Sequence, residues 1–244
     1  MPVYPSRPRK SSYGYPLGVI TLDEEAVFAP GDVAYAGSYD FPVYYRVATG
    51  TALAGIARGD SALEEAVVTA ARELETQGVR AITGASGLLI HYQDAVARAV
   101  NIPVLLSSLS QLPFISMLLA SDRSIGVITA DARLLGNRTL SLTGIDERRR
   151  LVTQGMEQAS HFRASVLEHR EPLDPQRIEQ EIVATARQMA EADPDMGAIL
   201  LEGAMMPAYA AAVNKATALP VFDYMTMIRQ LKHATHQRAY SGYY

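Results

Sequence analysis

The chain has 244 residues, with 22 Lys and Arg against 26 Asp and Glu, a formal net charge of −4, and no cysteine. That length makes one large domain or two small ones, and 48% apolar with 20% charged residues is a globular rather than a disordered composition. The acidic balance gives no electrostatic reason to expect a nucleic-acid partner, no run approaches the 18 apolar residues of a membrane span, and without cysteine there is no disulfide, thiolate nucleophile or Cys-ligated metal.

In chain order, residues 1–16 (MPVYPSRPRKSSYGYP) form an arm with basic residues but no apolar segment of a secretory signal, so the expected compartment is the cytoplasm. Six of the 13 tyrosines stand in the first 15 and last 5 positions: Tyr4, Tyr13, Tyr15, Tyr240, Tyr243 and Tyr244. Tyrosine offers large contact area at modest entropic cost, so these arms are expected to pack on a neighbouring subunit of a homo-oligomer.

From Gly18 onward the sequence repeats itself. GVITLD (18–23) returns as GVITAD (126–131), and residues 81–105 align without gaps on 198–222 with eight identities, among them Tyr92/Tyr209 and Pro103/Pro220. Each block reads as a short apolar strand, a Gly-containing loop, a helix and a strand opened by Pro-Val. Upstream helices correspond as well. Ser61–Gln77 has a capping-box pattern (Ser61 with Glu64) and Gly78 past its end. Asp174–Ala192 has Asp174 as N-cap and Pro175 in its first turn. Strands alternating with helices mean parallel sheets. The expected architecture is therefore α/β: an arm (1–16), lobe one (17–115), lobe two (116–225), and a C-terminal helix with a Tyr-rich tail (226–244), the lobes related by a pseudo-twofold. A helix near 225–238 is expected to cross back to lobe one. Ligands of parallel sheets sit beyond the carboxyl ends of the strands, so a small ligand between the lobes would meet Ser86 on one face and its repeat partner Gly203 on the other.

The segments APGDV (29–33), FPV (41–43), GVRAITGASGLLIHYQ (78–93), IPVLLSSLSQLP (102–113), GVITAD and LLEGAMMPAYAAAV…ALPVFDYMTMI (200–228) together resemble the aspartate/glutamate (and hydantoin) racemase superfamily, over nearly the whole chain. The resemblance implies two α/β lobes, a small-carboxylate site between them and chemistry at or next to the α-carbon without a cofactor. Racemases of this kind carry one cysteine in each lobe, on opposite faces of the α-carbon. Here those positions fall at Ser86 and Gly203. A thiol has a pKa of ~8.5 and an alkyl hydroxyl one near ~15.7, which leaves Ser86 roughly 10 kcal/mol behind as a base, and Gly203 has no side chain. A two-thiol mechanism is excluded. The resemblance then leaves a racemase-like enzyme, isomerase or decarboxylase/lyase working by other groups, a non-catalytic carboxylate-binding paralogue, or a racemase variant whose cysteines were replaced.

The candidate catalytic residues are Glu202, which ends an apolar strand beside Gly203 and can act as acid or base if burial raises its pKa, and Ser86, in the GASG loop whose N–H groups can hold a carboxylate or an enolate-like oxyanion. Glu202 has a purely structural alternative, because the family motif carries Glu before its cysteine. Candidate substrate-binding residues are Asp23, Gly84, Ala85, Gly87, Ser107, Thr129, Gly203, Ala204 and Tyr224. Asp23 and Asp131 can equally be loop caps. Tyr92 and Tyr209 are expected to serve packing, and His91 is badly placed to activate Ser86. His233 and His236 lack a third ligand, so no metal and no cofactor are expected.

Overall fold

The computed structural model describes residues 12–237, 239, 240 and 242; Tyr4, Tyr243 and Tyr244 lie outside them. Among the described residues, eight strands form two parallel four-stranded sheets. The first is ordered β2-β1-β3-β4, from β1 (Leu17–Leu22), β2 (Val43–Ala48), β3 (Ile82–Gly84) and β4 (Val104–Leu105). The second repeats the order as β6-β5-β7-β8, from β5 (Ser124–Thr129), β6 (Leu151–Gly155), β7 (Met196–Leu201) and β8 (Val221–Phe222). Strand register follows the internal alignment: Gly18 pairs with Ile82 and Ile82 with Val104, just as Gly126 pairs with Ile199 and Ile199 with Val221.

Helices in lobe one are α1 (Leu53–Arg58), α2 (Glu64–Gln77), α3 (Gln93–Ala99) and α4 (Leu112–Leu118). Those following are α5 (Asn137–Ser141), α6 (Ser160–Phe162), α7 (Pro175–Ala192), α8 (Ala210–Thr217) and α9 (Tyr224–Thr235). Asp174 caps α7 as expected, accepting from the N–H groups of Gln176 and Arg177. Gly78, at φ +91°, closes α2 in the left-handed conformation that glycine adopts freely. The start of α2 departs from the capping-box expectation. Residues 61–63 form a 3₁₀ turn capped by Asp60, whose carboxylate accepts from the Ala62 N–H, because an Asx turn one residue earlier captures the donor that Ser61 would have served.

Both faces of each sheet are buried, by different means. In lobe one, Gly18 leaves space filled by Leu74 of α2 and by Val79. The other face, with Leu17, Val19 and Ala81, packs on Tyr224, Met227, Ile228 and Leu231 of α9. In lobe two, Ile128, Ile199 and Leu201 face Ile178, Ile182 and Ala186 of α7. The opposite residues Ile125, Val127, Ala198 and Leu200 join a core continuous with Leu112 and Ile115 of α4. Leu119, just past α4, lies against Gly197. Each lobe thus covers one face of the other's sheet with the helix that follows its last strand.

The crossover is pinned by Gln111. Its buried amide Nε2 donates to the carbonyls of Asp223 (2.9 Å) and Ser108 (3.3 Å), while its Oε1 accepts from the Thr226 hydroxyl (3.0 Å). Tyr15 of the N-terminal arm does not reach outward: its ring meets Tyr44 of the same chain edge-on at 5.1 Å. Tyr13 and Tyr240 are exposed. No helix among the described residues is long and apolar enough to cross a membrane.

Replacing Gln111 with Leu leaves buried carbonyls at both helix starts without their donor. The expected cost is about 1–3 kcal/mol, read as a lower urea midpoint without a change in slope.

Candidate active site

Two turns face each other between the lobes. After β3 the chain runs through Ala85, Ser86 and Gly87, and after β7 through Glu202, Gly203 and Ala204. Both are tied to the central strand of their own sheet by equivalent bonds: the Ala85 N–H donates to the Ile20 carbonyl and the Glu202 N–H to the Ile128 carbonyl, each at 2.8 Å. Together with Thr129, Asp131, Asp32 and the loop through Glu24 and Phe28, they line a cavity of about 640 Å³. Seven of the eleven residues anticipated for the site therefore line one cavity: Glu202, Ser86, Ala85, Gly87, Thr129, Gly203 and Ala204.

Glu202 is almost fully buried, and its geometry is tightly held. Its Oε2 accepts from the Thr129 hydroxyl at 2.8 Å, and its main-chain carbonyl accepts from the buried Ser108 hydroxyl at 3.0 Å. The other oxygen, Oε1, rests on the Gly87 backbone, 1.5 Å from where a Cβ would stand. Gly87 is thus required by the approach of a carboxyl group from the opposite lobe. Burial pushes the Glu202 pKa upward, opposed only in part by the Thr129 hydroxyl. By contrast, a Cβ on Gly203 would meet only the flexible end of Met206, no closer than 3.2 Å.

Sequence reasoning passed over Asp32. It sits on the loop between β1 and β2, only 6% exposed, and lines the same cavity. Its Oδ1 accepts from the Ala34 N–H (2.6 Å), and no Lys or Arg among the described residues pairs with it. Desolvation raises its pKa from 3.8 to about 6, the Ala34 N–H opposing. The loop is fixed on both sides. The Ser38 hydroxyl accepts from the Gly31 N–H and donates to the Asp32 carbonyl, Tyr39 donates its hydroxyl to the Val33 carbonyl, and the Val33 N–H reaches Ala204 of lobe two (3.1 Å). Gly31, at φ +99°, packs so closely on Ala208 that a Cβ would stand 2.5 Å from Ala208 Cβ. The available signal was the Pro-Gly-Asp turn in APGDV, a carboxylate placed on a forced turn between two strands of a ligand-binding sheet.

The remaining anticipated residues stand behind the cavity wall or beside it. Asp23 accepts from the Gly50 N–H (2.8 Å) and so caps a loop. Gly84 is buried beneath Leu89 and the Leu106 carbonyl. Ser107 is fully buried and accepts from the Leu109 N–H. The buried Tyr224 donates to the Leu106 carbonyl (3.2 Å). Asp131 does line the cavity, with Arg133 forked onto its carboxylate and holding its pKa low. Tyr92 and Tyr209 lie in separate cores, Tyr92 bonding to the Asp60 carbonyl. His91 faces Thr139 (3.3 Å), away from Ser86. The outer wall is a π-helical turn, Arg163–Leu167, a distortion that recurs beside functional sites.

No family model matches the chain. Among solved structures, unliganded arylmalonate decarboxylase matches with TM-score 0.60 and 19% identity over 93% of this chain and 97% of its own. An aspartate racemase homologue from Pyrococcus horikoshii OT3 matches with TM-score 0.54 and 15% identity, over 88% and 98%. The fold is that of the aspartate/glutamate racemase superfamily. Among curated proteins, dimethylsulfoniopropionate lyase of Durusdinium sp. clade D is 30% identical over 85% of this chain and 70% of its own length. Dimethylsulfoniopropionate lyases 5 and 7 of Emiliania huxleyi (strain CCMP1516) are 32% and 31% identical over 87% of this chain. The chain belongs to this lyase family. It spans 44% and 65% of the length of the two Emiliania relatives.

A carboxyl whose folded pKa lies above its unfolded value contributes most at low pH, where both states are protonated. That contribution is lost as pH rises from about 4 to the folded value of about 6. Asp32→Asn keeps the acceptor for the Ala34 N–H and removes the buried charge. Its stability should match that of the parent near pH 4 and exceed it above pH 7, by up to about 3 kcal/mol, as urea titrations at the two pH values will show.

Proposed function

We propose that this chain is a cofactor-independent lyase acting next to the α-carbon of a small carboxylate, with dimethylsulfoniopropionate as the first substrate to test. The observation that carries the reading is the cavity itself: Glu202 of one facing turn and Asp32 of the β1–β2 loop bring buried carboxyl groups to it, with no thiol, in a chain 30% identical to a dimethylsulfoniopropionate lyase over most of both lengths. A lyase has to remove a proton α to the carboxylate and expel the group on the next carbon. A sulfonium is a good leaving group because it departs as neutral dimethyl sulfide. Cavity charge supports a cationic ligand. Glu24, Asp32, Asp131, Glu157 and Glu168 line it against Arg133 and Arg163, and Arg133 is already engaged by Asp131.

In this reading Glu202 is the catalytic acid. With its pKa raised by burial and its carboxyl oriented by Thr129, it donates towards the substrate carboxylate and offsets the negative charge that grows there as the α-C–H bond breaks. Ser86 supplies a hydroxyl donor rather than a base. The backbone of Ala85 and Gly87 on one side, and of Gly203 and Ala204 on the other, frames the carboxylate, and a pseudo-twofold relation of the lobes would set these frames face to face. Asp23, Gly84, Ser107 and Tyr224 act as supports behind the wall. A second reading, a carboxylate-binding paralogue without turnover, is favoured by Ser86 and Gly203 standing where racemases carry thiols. The terminal tyrosines other than Tyr15 are assigned to contacts between subunits of a homo-oligomer.

Proton NMR in D₂O on dimethylsulfoniopropionate and a panel of amino, hydroxy and dicarboxylic acids tests the reading. Growth of dimethyl sulfide and vinyl signals is expected, with Glu202→Gln at least ~10²-fold slower. Ligand line-broadening with neither exchange nor product selects the binding paralogue instead. For the arms, removing residues 1–11 and 239–244 should lower the mass seen by light scattering; an unchanged mass refutes the subunit contact.

A further inference from the structure

We propose that Asp32 is the base that takes the substrate's α-proton; this rests on the lyase reading above. Three observations place it there. Its carboxyl is buried yet lines the cavity between the lobes. Its loop is locked from both lobes, through Ser38 and Tyr39 on one side and, on the other, through the Val33 N–H on the carbonyl of Ala204, the residue after Gly203. Gly31 could carry no side chain without striking Ala208, so the approach of this loop is built into the fold. A base that has to meet a C–H bond at a fixed point gains from such immobility.

Glu202 acts as the acid in the lyase reading and so is not the base as well. Its Oε2 already accepts from the Thr129 hydroxyl. Among the described residues, Asp32 has only Oδ1 engaged, by the Ala34 backbone N–H. A buried carboxylate with no cation beside it is also costly for the fold to maintain, and a proton-accepting role explains why one is kept.

The step balances without a co-reactant. A carboxylate oxygen of Asp32 forms an O–H bond with the α-hydrogen, and the C–H electron pair becomes the new carbon–carbon π bond. The carbon–sulfur bond breaks with its pair leaving on sulfur, giving neutral dimethyl sulfide and the unsaturated carboxylate. The proton on Asp32 then passes to water.

Four side chains feel the charge of Asp32: Tyr39, Tyr45, Tyr209 and Tyr224. All are held neutral by burial, Tyr45 and Tyr209 with pKa values pushed up to about 12. Of the carboxyls in the cavity, Glu202 is also shifted upward, and a test has to separate the two.

Kinetics on the full chain with dimethylsulfoniopropionate, followed by NMR, supply that test. Asp32→Asn should lose at least 10³-fold in kcat with KM changed only a few-fold. The parent's kcat/KM should fall tenfold per pH unit below about 6, and this limb should persist in Glu202→Gln at whatever rate remains. A loss under tenfold in folded Asp32→Asn overturns the assignment and leaves the lyase reading intact. If Asp32→Asn does not fold, the parent's pH profile decides: activity flat to pH 5, or a limb abolished by Glu202→Gln, overturns it. No product from the parent on any substrate refutes the lyase reading and Asp32's role with it.

Discussion

Neither sheet can bury both of its faces with helices of its own lobe. One face of each is covered within the lobe, by α2 or α7, and the other requires the helix that leaves the partner lobe, α9 or α4. Burial of these faces is worth roughly 25 cal/mol per Å² of apolar surface, so lobes held apart would each expose a Val- and Ile-rich sheet. The exchange fixes the lobes against each other, and the cleft between them exists because they are fixed. Gln111 stands where the two crossing helices begin, and its buried amide satisfies groups on both.

On that frame the cleft is closed by backbone and carboxyl groups meeting across the lobes. Glu202 reaches lobe one at Gly87, and the Asp32 loop reaches lobe two at Ala204. Each contact depends on a glycine, Gly87 in the first and Gly31 in the second, because a Cβ would lie within 2.5 Å of the opposing atoms. The same closeness desolvates both carboxyls and shifts both towards their neutral forms. Packing and proton chemistry are one arrangement here. A thiol removes an α-proton because its pKa is within reach of neutrality, and a buried carboxyl can be brought towards that range from below.

Much of this was legible in the chain. The repeated GVIT strand and the aligned 81–105 and 198–222 blocks carry strand order and register, because β-pairing copies wherever the hydrophobic pattern is copied. Asp174, Pro175 and Gly78 carried helix ends through local backbone chemistry. The two facing turns followed from strand ends in parallel sheets, which is why Ser86 and Gly203 were found together at the cavity.

Other features depended on distance in three dimensions. Asp23 and Asp131 are equivalent in the repeat, yet only Asp131 lines the cavity, while Asp23 is drawn onto the Gly50 turn. Ser107 and Tyr224, at strand ends that point towards the cleft, are consumed by buried bonds behind it. Asp32 carried only the Pro-Gly-Asp turn as a local sign, since burial and the lack of a neighbouring cation among the described residues are properties of what packs around it. The sequence by itself determined the two-lobed α/β fold, the place of the cleft and the loss of thiol chemistry, because periodicity, strand-end topology and residue type are local. Which carboxyls face the cleft, and which way their pKa values move, was decided by the tertiary structure, because desolvation is set by groups brought from the opposite lobe.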